Sequence, residues 1–240
     1  MILVLGDLHL GLENNMEKFS KLRLVFEQFP NPEKIVLLGD IFDFYYECPR
    51  YARDIYGPFI DLISTKARES VVFYVQGNHD FFPLELLRKA GLEVRAKEVI
   101  IPLKNKLIYF THGDLLSFEG IFTRIFLSFK LWQLLMKLIP CNIIYSIAKR
   151  ISHLSRKKSS SRPPFTKDVE RRIERLCAKY DVVVTAHFHN PILRTTESGA
   201  IYANPGDWLQ FYTFMTIEES EAIIWRFNDT LIVKEKEVKI

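Results

Sequence analysis

Cysteine is scarce in this chain: Cys48, Cys141 and Cys177 are the whole complement, and no two of them form a Cys-x-x-Cys pair. That argues against a thiolate zinc site, and it predicts no disulfide framework and a reducing compartment. Long apolar runs are also missing. A membrane-spanning helix needs about 20 consecutive apolar residues, whereas Arg124, Lys130 and Lys137 divide the greasiest stretch. There are no internal repeats, and low complexity is confined to Ser159-Ser160-Ser161. No basic leader precedes the first motif, so a cytoplasmic protein is expected. The most informative absence is of acid: Gly120 to Lys167 contains ten Lys or Arg and no Asp or Glu. The net charge is +4, yet outside that segment 23 basic residues face 29 acidic ones. The positive charge is therefore local and calls for a local reason.

What remains is an ordinary globular composition, 48% hydrophobic and 26% charged over 240 residues, enough for one large domain carrying an insertion. Short apolar runs, Ile2 to Leu5, Ile35 to Leu38, Val71 to Val75, Leu107 to Phe110 and Val182 to Val184, read as strands buried on both faces and joined by helices. Leu22, Val25, Phe26 and Phe29 share one helix face, and Pro83 to Ala90 reads as a short helix stopped by Gly91. After His189 the pattern shifts to short strands around Ile192, Ile201, Phe214, Ile223 and Ile232, which predicts a second, mainly antiparallel sheet. The expected architecture is α/β, two packed sheets flanked by helices. Between Ile121 and Met136 apolar residues recur at spacings of three and four, Pro140 breaks the pattern, and Ile143 to Ile151 resumes it. This predicts a helical hairpin inserted over residues 119–165.

Each of these short apolar runs ends at a polar motif: Asp7-Leu8-His9, Gly39-Asp40-Ile41-Phe42-Asp43, Gly77-Asn78-His79-Asp80, His112-Gly113-Asp114 and His187-Phe188-His189. Alone, any of these is a turn former or a surface pair. Together they hold five of the six histidines, leaving His153 as an ordinary helix residue. In sheets of this kind, active residues sit on loops beyond the carboxyl ends of the strands. Oxygen and imidazole donors without sulfur suit manganese, iron or zinc better than magnesium or calcium. Two such cations activate water toward a phosphate ester or anhydride, and their mutual repulsion demands a bridging anion. Asp40 is the expected bridge, with Asp7, His9 and a distal histidine on one ion, and Asn78, His112 and another histidine on the other.

The order D-x-H, G-D-x-x-D, G-N-H-D, H-G-D, H-x-H resembles the calcineurin-like metallophosphoesterases over residues 1–118 and 180–207, including Asn204-Pro205-Gly206. The resemblance implies a sandwich of two mixed sheets flanked by helices, with residues 1–118 and 166–240 as the hydrolase domain and 119–165 as an inserted lid. It implies that Asp7, His9, Asp40 and His189 hold one metal and that Asp40, Asn78, His112 and His187 hold the second. It also implies that His79 assists the departing oxygen with Asp80 orienting its ring, and that Asp43 supports a metal ligand. Ala186 stands where the family usually has glycine, a change to backbone geometry that removes no ligand.

The insert between H-G-D and H-x-H resembles one branch, the UDP-2,3-diacylglucosamine diphosphatases of lipid A synthesis. For that branch, water attacks the α-phosphorus and releases UMP and 2,3-diacylglucosamine 1-phosphate. Substrate contacts would then come from Asn78, His79, His187, Ser155, Ser159 and Arg162; the last three stand near where the branch places a Ser, an Asn and a Lys, so of these only Ser155 matches in type. Members of the branch carry Arg where His79 stands, and an acidic pair where this chain has Ser117-Phe118-Glu119-Gly120. A greasy, wholly basic insert suits a lipid-linked UDP-sugar and an anionic membrane surface, placing the protein at the inner face of the membrane. The alternatives are hydrolysis of soluble phosphodiesters or nucleotides, with the hairpin as cover, and a nuclease. Apolar residues at helix-face spacing fit base stacking poorly, which argues against nucleic acid.

Overall fold

The computed structural model describes all residues except 13–14, 81–83, 128–137 and 159–164, and it forms two packed sheets flanked by helices. β1 (Ile2–Leu5), β2 (Lys34–Leu37), β3 (Val71–Val75) and β4 (Glu93–Arg95) run parallel, in that order. The second sheet begins with a hairpin of β5 (Glu98–Leu103) and β6 (Lys106–Thr111). It continues through β7 (Val182–Thr185), β9 (Ile201–Asn204) and β8 (Ile192–Thr195).

This partition corrects the expectation of one C-terminal antiparallel sheet. β8 and β9 do join the second sheet, but β10 (Thr213–Ile217), β11 (Glu221–Asn228) and β12 (Leu231–Lys239) extend the first. The free edge of β1 is the cause: β10 pairs antiparallel with it, Leu3 opposite Thr216, and so covers a central strand that would otherwise expose its ladder. β6 and β7, whose apolar runs look like those of β1 to β3, belong to the second sheet.

Strand alternation distributes the core. Ile2, Val4, Val36, Leu38 and Val75 point between the sheets, against Val99, Ile108, Phe110, Val182, Val184 and Ala203. Leu3, Leu5, Ile35, Leu37 and Tyr74 point outward, under α1 (Met16–Gln28), α2 (Pro49–Lys66) and α3 (Glu85–Lys89). In α1, Phe19, Leu22, Val25 and Phe26 are buried at the spacing of one helix face. Each such side chain contributes about 1.5 to 3 kcal/mol when taken out of water. The outer face of the second sheet receives Val169, Ile173 and Cys177, whose four-residue repeat puts them on one side of their helix.

Of the expected insert, the described parts are the helices α4 (Phe118–Leu127) and α5 (Cys141–Lys158); Phe129, Trp132 and Met136 lie outside the described residues. The later helix α6 (Lys167–Cys177) begins at Thr166, whose hydroxyl accepts from Val169 N–H. α5 docks on the loop after Asp43: Tyr145 stacks on Tyr51 and donates to the Tyr46 carbonyl, while Ile144 and Ala148 are buried. Cys48 and Cys141 are joined there as a disulfide with Cα atoms 6.2 Å apart. That overturns the expectation of no disulfide, and with it the cysteine argument for a reducing compartment. Cysteine spacing could not show it, because 93 residues separate the two and the fold alone brings the start of α2 to the start of α5. Among the described residues, no helix is long and apolar enough to cross a membrane.

Candidate metal centre

Every motif emerges from the carboxyl end of a buried strand, and neighbouring loops are zipped together by backbone bonds. Asp7 N–H donates to the Gly39 carbonyl, His9 N–H to Asp40, Leu10 N–H to Ile41, and Ala186 N–H to His112. Two clusters result, Asp7 with His9 and His189, and Asp40 with His112 and His187; within each, one donor atom per residue lies within 4.8 Å of the others. Asn78 adjoins the second cluster, its side-chain oxygen 3.1 Å from His112 Nε2.

Backbone strain is concentrated at this point. Asp7, His9, Asp40, His187 and His189 all have positive φ, between 46° and 69°. For residues with a Cβ this conformation costs about 1 to 2 kcal/mol each. It is maintained because turning the chain sharply past the strand end is what aims each side chain inward. Gly39 makes the approach possible: at φ 72°, a Cβ there would fall 2.7 Å from Gly77 Cα and 2.9 Å from His112 Nδ1. Gly39→Ala is accordingly expected to cost about 3 kcal/mol or more, from backbone strain plus overpacking, and to reduce metal retention. Gly199, also at positive φ but with nothing within 4 Å of where a Cβ would stand, is the control. Its alanine variant should show the smaller strain alone in urea denaturation. Ala186 is accommodated because Gly6 faces it, where a Cβ would come within 3.0 Å of Ala186 Cβ.

The imidazoles share one logic. His9 Nδ1–H donates to Asp43 Oδ1 at 3.1 Å, His189 Nδ1–H to Asp207 Oδ2 at 3.1 Å, and His112 Nδ1–H to the Leu38 carbonyl at 2.7 Å. Fixing Nδ1 leaves Nε2 with its lone pair directed into the pocket, as metal-bound histidines require. Asp207 is a residue that the motif reading misses; the signal available in the sequence is its position directly after Asn204-Pro205-Gly206.

Two buried atoms make the case for cations without reference to any relative. Asp7 Oδ1 and His9 Nε2 have no hydrogen-bond partner and lie 3.9 Å apart. Orphaned buried acceptors are costly, and a divalent ion between them satisfies both. Asp7 Oδ2 is occupied, accepting from His187 N–H at 2.8 Å. Asp40 Oδ1 accepts from His79 N–H at 2.9 Å, and Oδ2 lies 3.4 Å from His112 Nε2.

Without metal, charge is balanced within the pocket. Burial opposes a charge on His112, but the Asp40 carboxylate beside it prevails and raises its pKa to about 10. Burial and the His112 charge lower His187 to about 3, leaving it neutral. Because His112 is raised from its ordinary 6.5, its contribution to stability is complete below that value and is lost as pH climbs through about 10. Metal-free protein should therefore melt at lower temperature as pH rises through that window. Since a ligand imidazole must give up this proton, Mn2+ uptake near pH 8 should release at least about one proton per chain, with any ionised metal-bound water adding to it. Calorimetry in two buffers of different ionisation enthalpy reads this; no release would mean that His112 is not displaced from its ion pair.

His79 sits at the rim, its side chain 44% exposed and Nε2 4.0 Å from Asp40 Oδ2. Its Nδ1–H donates to the Asp43 carbonyl at 3.0 Å. Asp80 does not orient this ring, contrary to expectation. Its carboxylate turns inward to accept from Asp40 N–H, Gly77 N–H and the Tyr74 hydroxyl, tying two ligand loops together. Burial and nearby Asp40 push Asp80 up to about 6. The backbone of Ser155 belongs to α5, but its side chain, like Ser159 and Arg162, lies outside the described residues.

Comparison with known proteins agrees. The calcineurin-like phosphoesterase family model matches residues 1–191. A UDP-2,3-diacylglucosamine hydrolase from Histophilus somni is 24% identical, covering 85% of this chain and 90% of its own. One from Haemophilus influenzae is 25% identical, covering 90% and 94%. Among solved structures, the E. coli phosphoesterase Yfce superposes with a TM-score of 0.55 at 16% identity, over 99% of this chain and 97% of its own. A Vps29 mutant from Entamoeba histolytica gives 0.52 at 17%, over 100% and 98%. With the motifs in order, their donors gathered into two clusters, one of them holding two orphaned acceptors, and the family match spanning most of its length, this chain belongs to the calcineurin-like phosphoesterases and is a metal-dependent hydrolase.

Proposed function

We propose that the protein hydrolyses the pyrophosphate of UDP-2,3-diacylglucosamine at the α-phosphorus, giving UMP and 2,3-diacylglucosamine 1-phosphate, as a step of lipid A synthesis. The observation that carries this reading is the character of the inserted helices. α5 buries Ile144, Tyr145 and Ala148 on one side yet leaves Ile143 and Ile147 about half exposed, and Phe118, Phe122 and Leu138 are more than 70% exposed. Apolar surface of this kind beside a phosphoesterase site suits acyl chains, and exposed Lys149 and Arg150 suit anionic headgroups. Residues 119–165 then act as a lid on the domain formed by 1–118 and 166–240. The protein sits peripherally on the inner membrane face.

In this reading Asp7, His9, Asp40 and His189 hold one ion, and Asp40, Asn78, His112 and His187 the other, with manganese favoured over iron or zinc. The ions supply Lewis-acid activation of water and neutralise phosphoryl charge. The chain supplies the rest. Asp43 and Asp207 orient His9 and His189. His79, whose Nδ1–H is held by the Asp43 carbonyl, presents Nε2 to the departing oxygen as the proton donor. Water's hydroxyl joins the α-phosphorus as the bond to the bridging oxygen breaks; the electron pair leaves with the sugar 1-phosphate, which takes the His79 proton, and the proton given up by water passes to solvent and restores His79. Ser155, Ser159 and Arg162 contact the substrate.

The relatives named as UDP-2,3-diacylglucosamine hydrolases support the substrate class. The test is UMP release from UDP-2,3-diacylglucosamine by purified protein with manganese; none at high enzyme concentration removes this substrate. A second reading, hydrolysis of soluble phosphodiesters or nucleotides, draws on His79, which stands where the diacylglucosamine branch has Arg. Equal turnover of long-chain and short-chain substrates, without vesicle binding, would favour it.

A further inference from the structure

α4 starts four residues after Asp114 and is seated on that turn: at Gly120, a Cβ would lie 2.7 Å from the Asp114 carbonyl carbon and 2.9 Å from its Cα. From this helix Arg124 reaches into the hydrolase domain. Its Nη2 donates to the carbonyls of Gln76 and, at 3.3 Å, Gly77, while its Nε lies 3.4 Å from Asp114 Oδ2. The Asp114 carboxylate is fully buried, neither oxygen has a hydrogen-bond partner, and the guanidinium is its ion-pair partner. Gln76 and Gly77 immediately precede Asn78, and Asp114 follows His112 by two residues. One cation from the insert is thus wedged between the loops that carry two donors of the same cluster.

We propose that Arg124 is a positioning residue that sets Asn78 relative to His112, so that the second metal position is completed only when the first helix of the insert is docked. The proposal rests on reading Asp40, Asn78, His112 and His187 as that position. A guanidinium suits the task because its planar fork serves carbonyls and a carboxylate at once, whereas an ammonium is a point charge. The role proposed for Arg124 is indirect. The side chain acts through the loop it holds, which makes the insert a determinant of metal occupancy as well as a cover.

The experiment is Mn2+ titration of the full-length chain, followed by calorimetry and by electron paramagnetic resonance, in wild type, Arg124→Gln and Arg124→Lys. Wild type should take up two ions and show the spectrum of a spin-coupled pair. In Arg124→Gln the first ion should bind with unchanged affinity and the second about 10- to 100-fold more weakly. The spectrum at equal metal should then be that of isolated Mn2+. Arg124→Lys, which keeps the charge without the fork, should fail to restore the coupled pair. Wild-type affinity for both ions in folded Arg124→Gln overturns the proposal; should that variant not fold, Arg124→Lys decides by the same criterion. If wild type itself never binds a second ion, it is the two-metal reading that fails, and the proposal with it.

Discussion

Asp40→Asn is expected to leave no more than one tightly held ion per chain and to lower turnover by at least about a thousandfold, roughly 4 kcal/mol of lost transition-state stabilisation. Two divalent ions about 4 Å apart repel by roughly 17 kcal/mol at an effective dielectric of ~20. Asp40 is the donor the two proposed sets share, and it is flanked by His112 at 3.4 Å and His79 at 4.0 Å. Asparagine keeps the shape and can still accept from His79 N–H, so the loop should persist while the negative charge is gone. Elemental analysis beside a hydrolysis assay separates these effects. Two ions and undiminished turnover in the variant would sink the two-metal account.

His79→Ala should lower turnover by about 100- to 10,000-fold, the usual range for removing a general acid, while leaving metal content near wild type. The ring stands at the rim, hydrogen-bonded through Nδ1 to the Asp43 carbonyl, and its backbone N–H, which the substitution keeps, holds Asp40 Oδ1. Loss of the ring therefore removes a proton donor and spares the ligand loop. The alkaline limb of the pH profile should also change: activity that needs the His79 imidazolium falls as pH rises through its pKa, and the variant should lack this limb. A variant that loses metal and turnover in equal measure would reassign His79 to structure.

The insert illustrates how far local pattern reaches. Its amphipathic spacing is visible in the order of residues, and α4 and α5 follow it. Which apolar residues are covered is another matter. Ile144 and Ile143 are neighbours of one chemistry, yet one is buried under the loop after Asp43 and the other is exposed. Asp80 teaches the same lesson: its place beside His79 suggests a partner for that ring, but Tyr74, Gly77 and Asp40 claim its oxygens.

The amino-acid order by itself determined the donor chemistry, the strand-end placement of each motif and the local excess of positive charge, because residue type, polarity period and charge are properties of short segments. Only the tertiary structure decided that β10 returns to β1, that Asp207 holds His189, that Cys48 meets Cys141 and that Arg124 spans to Gln76. Those pairings join residues 48 positions apart in the case of Arg124, 93 in the disulfide and 213 (216 − 3) where Leu3 meets Thr216. A hydrogen bond or a sheet edge selects its partner by geometry after the chain has packed, and no periodicity along the backbone encodes that distance.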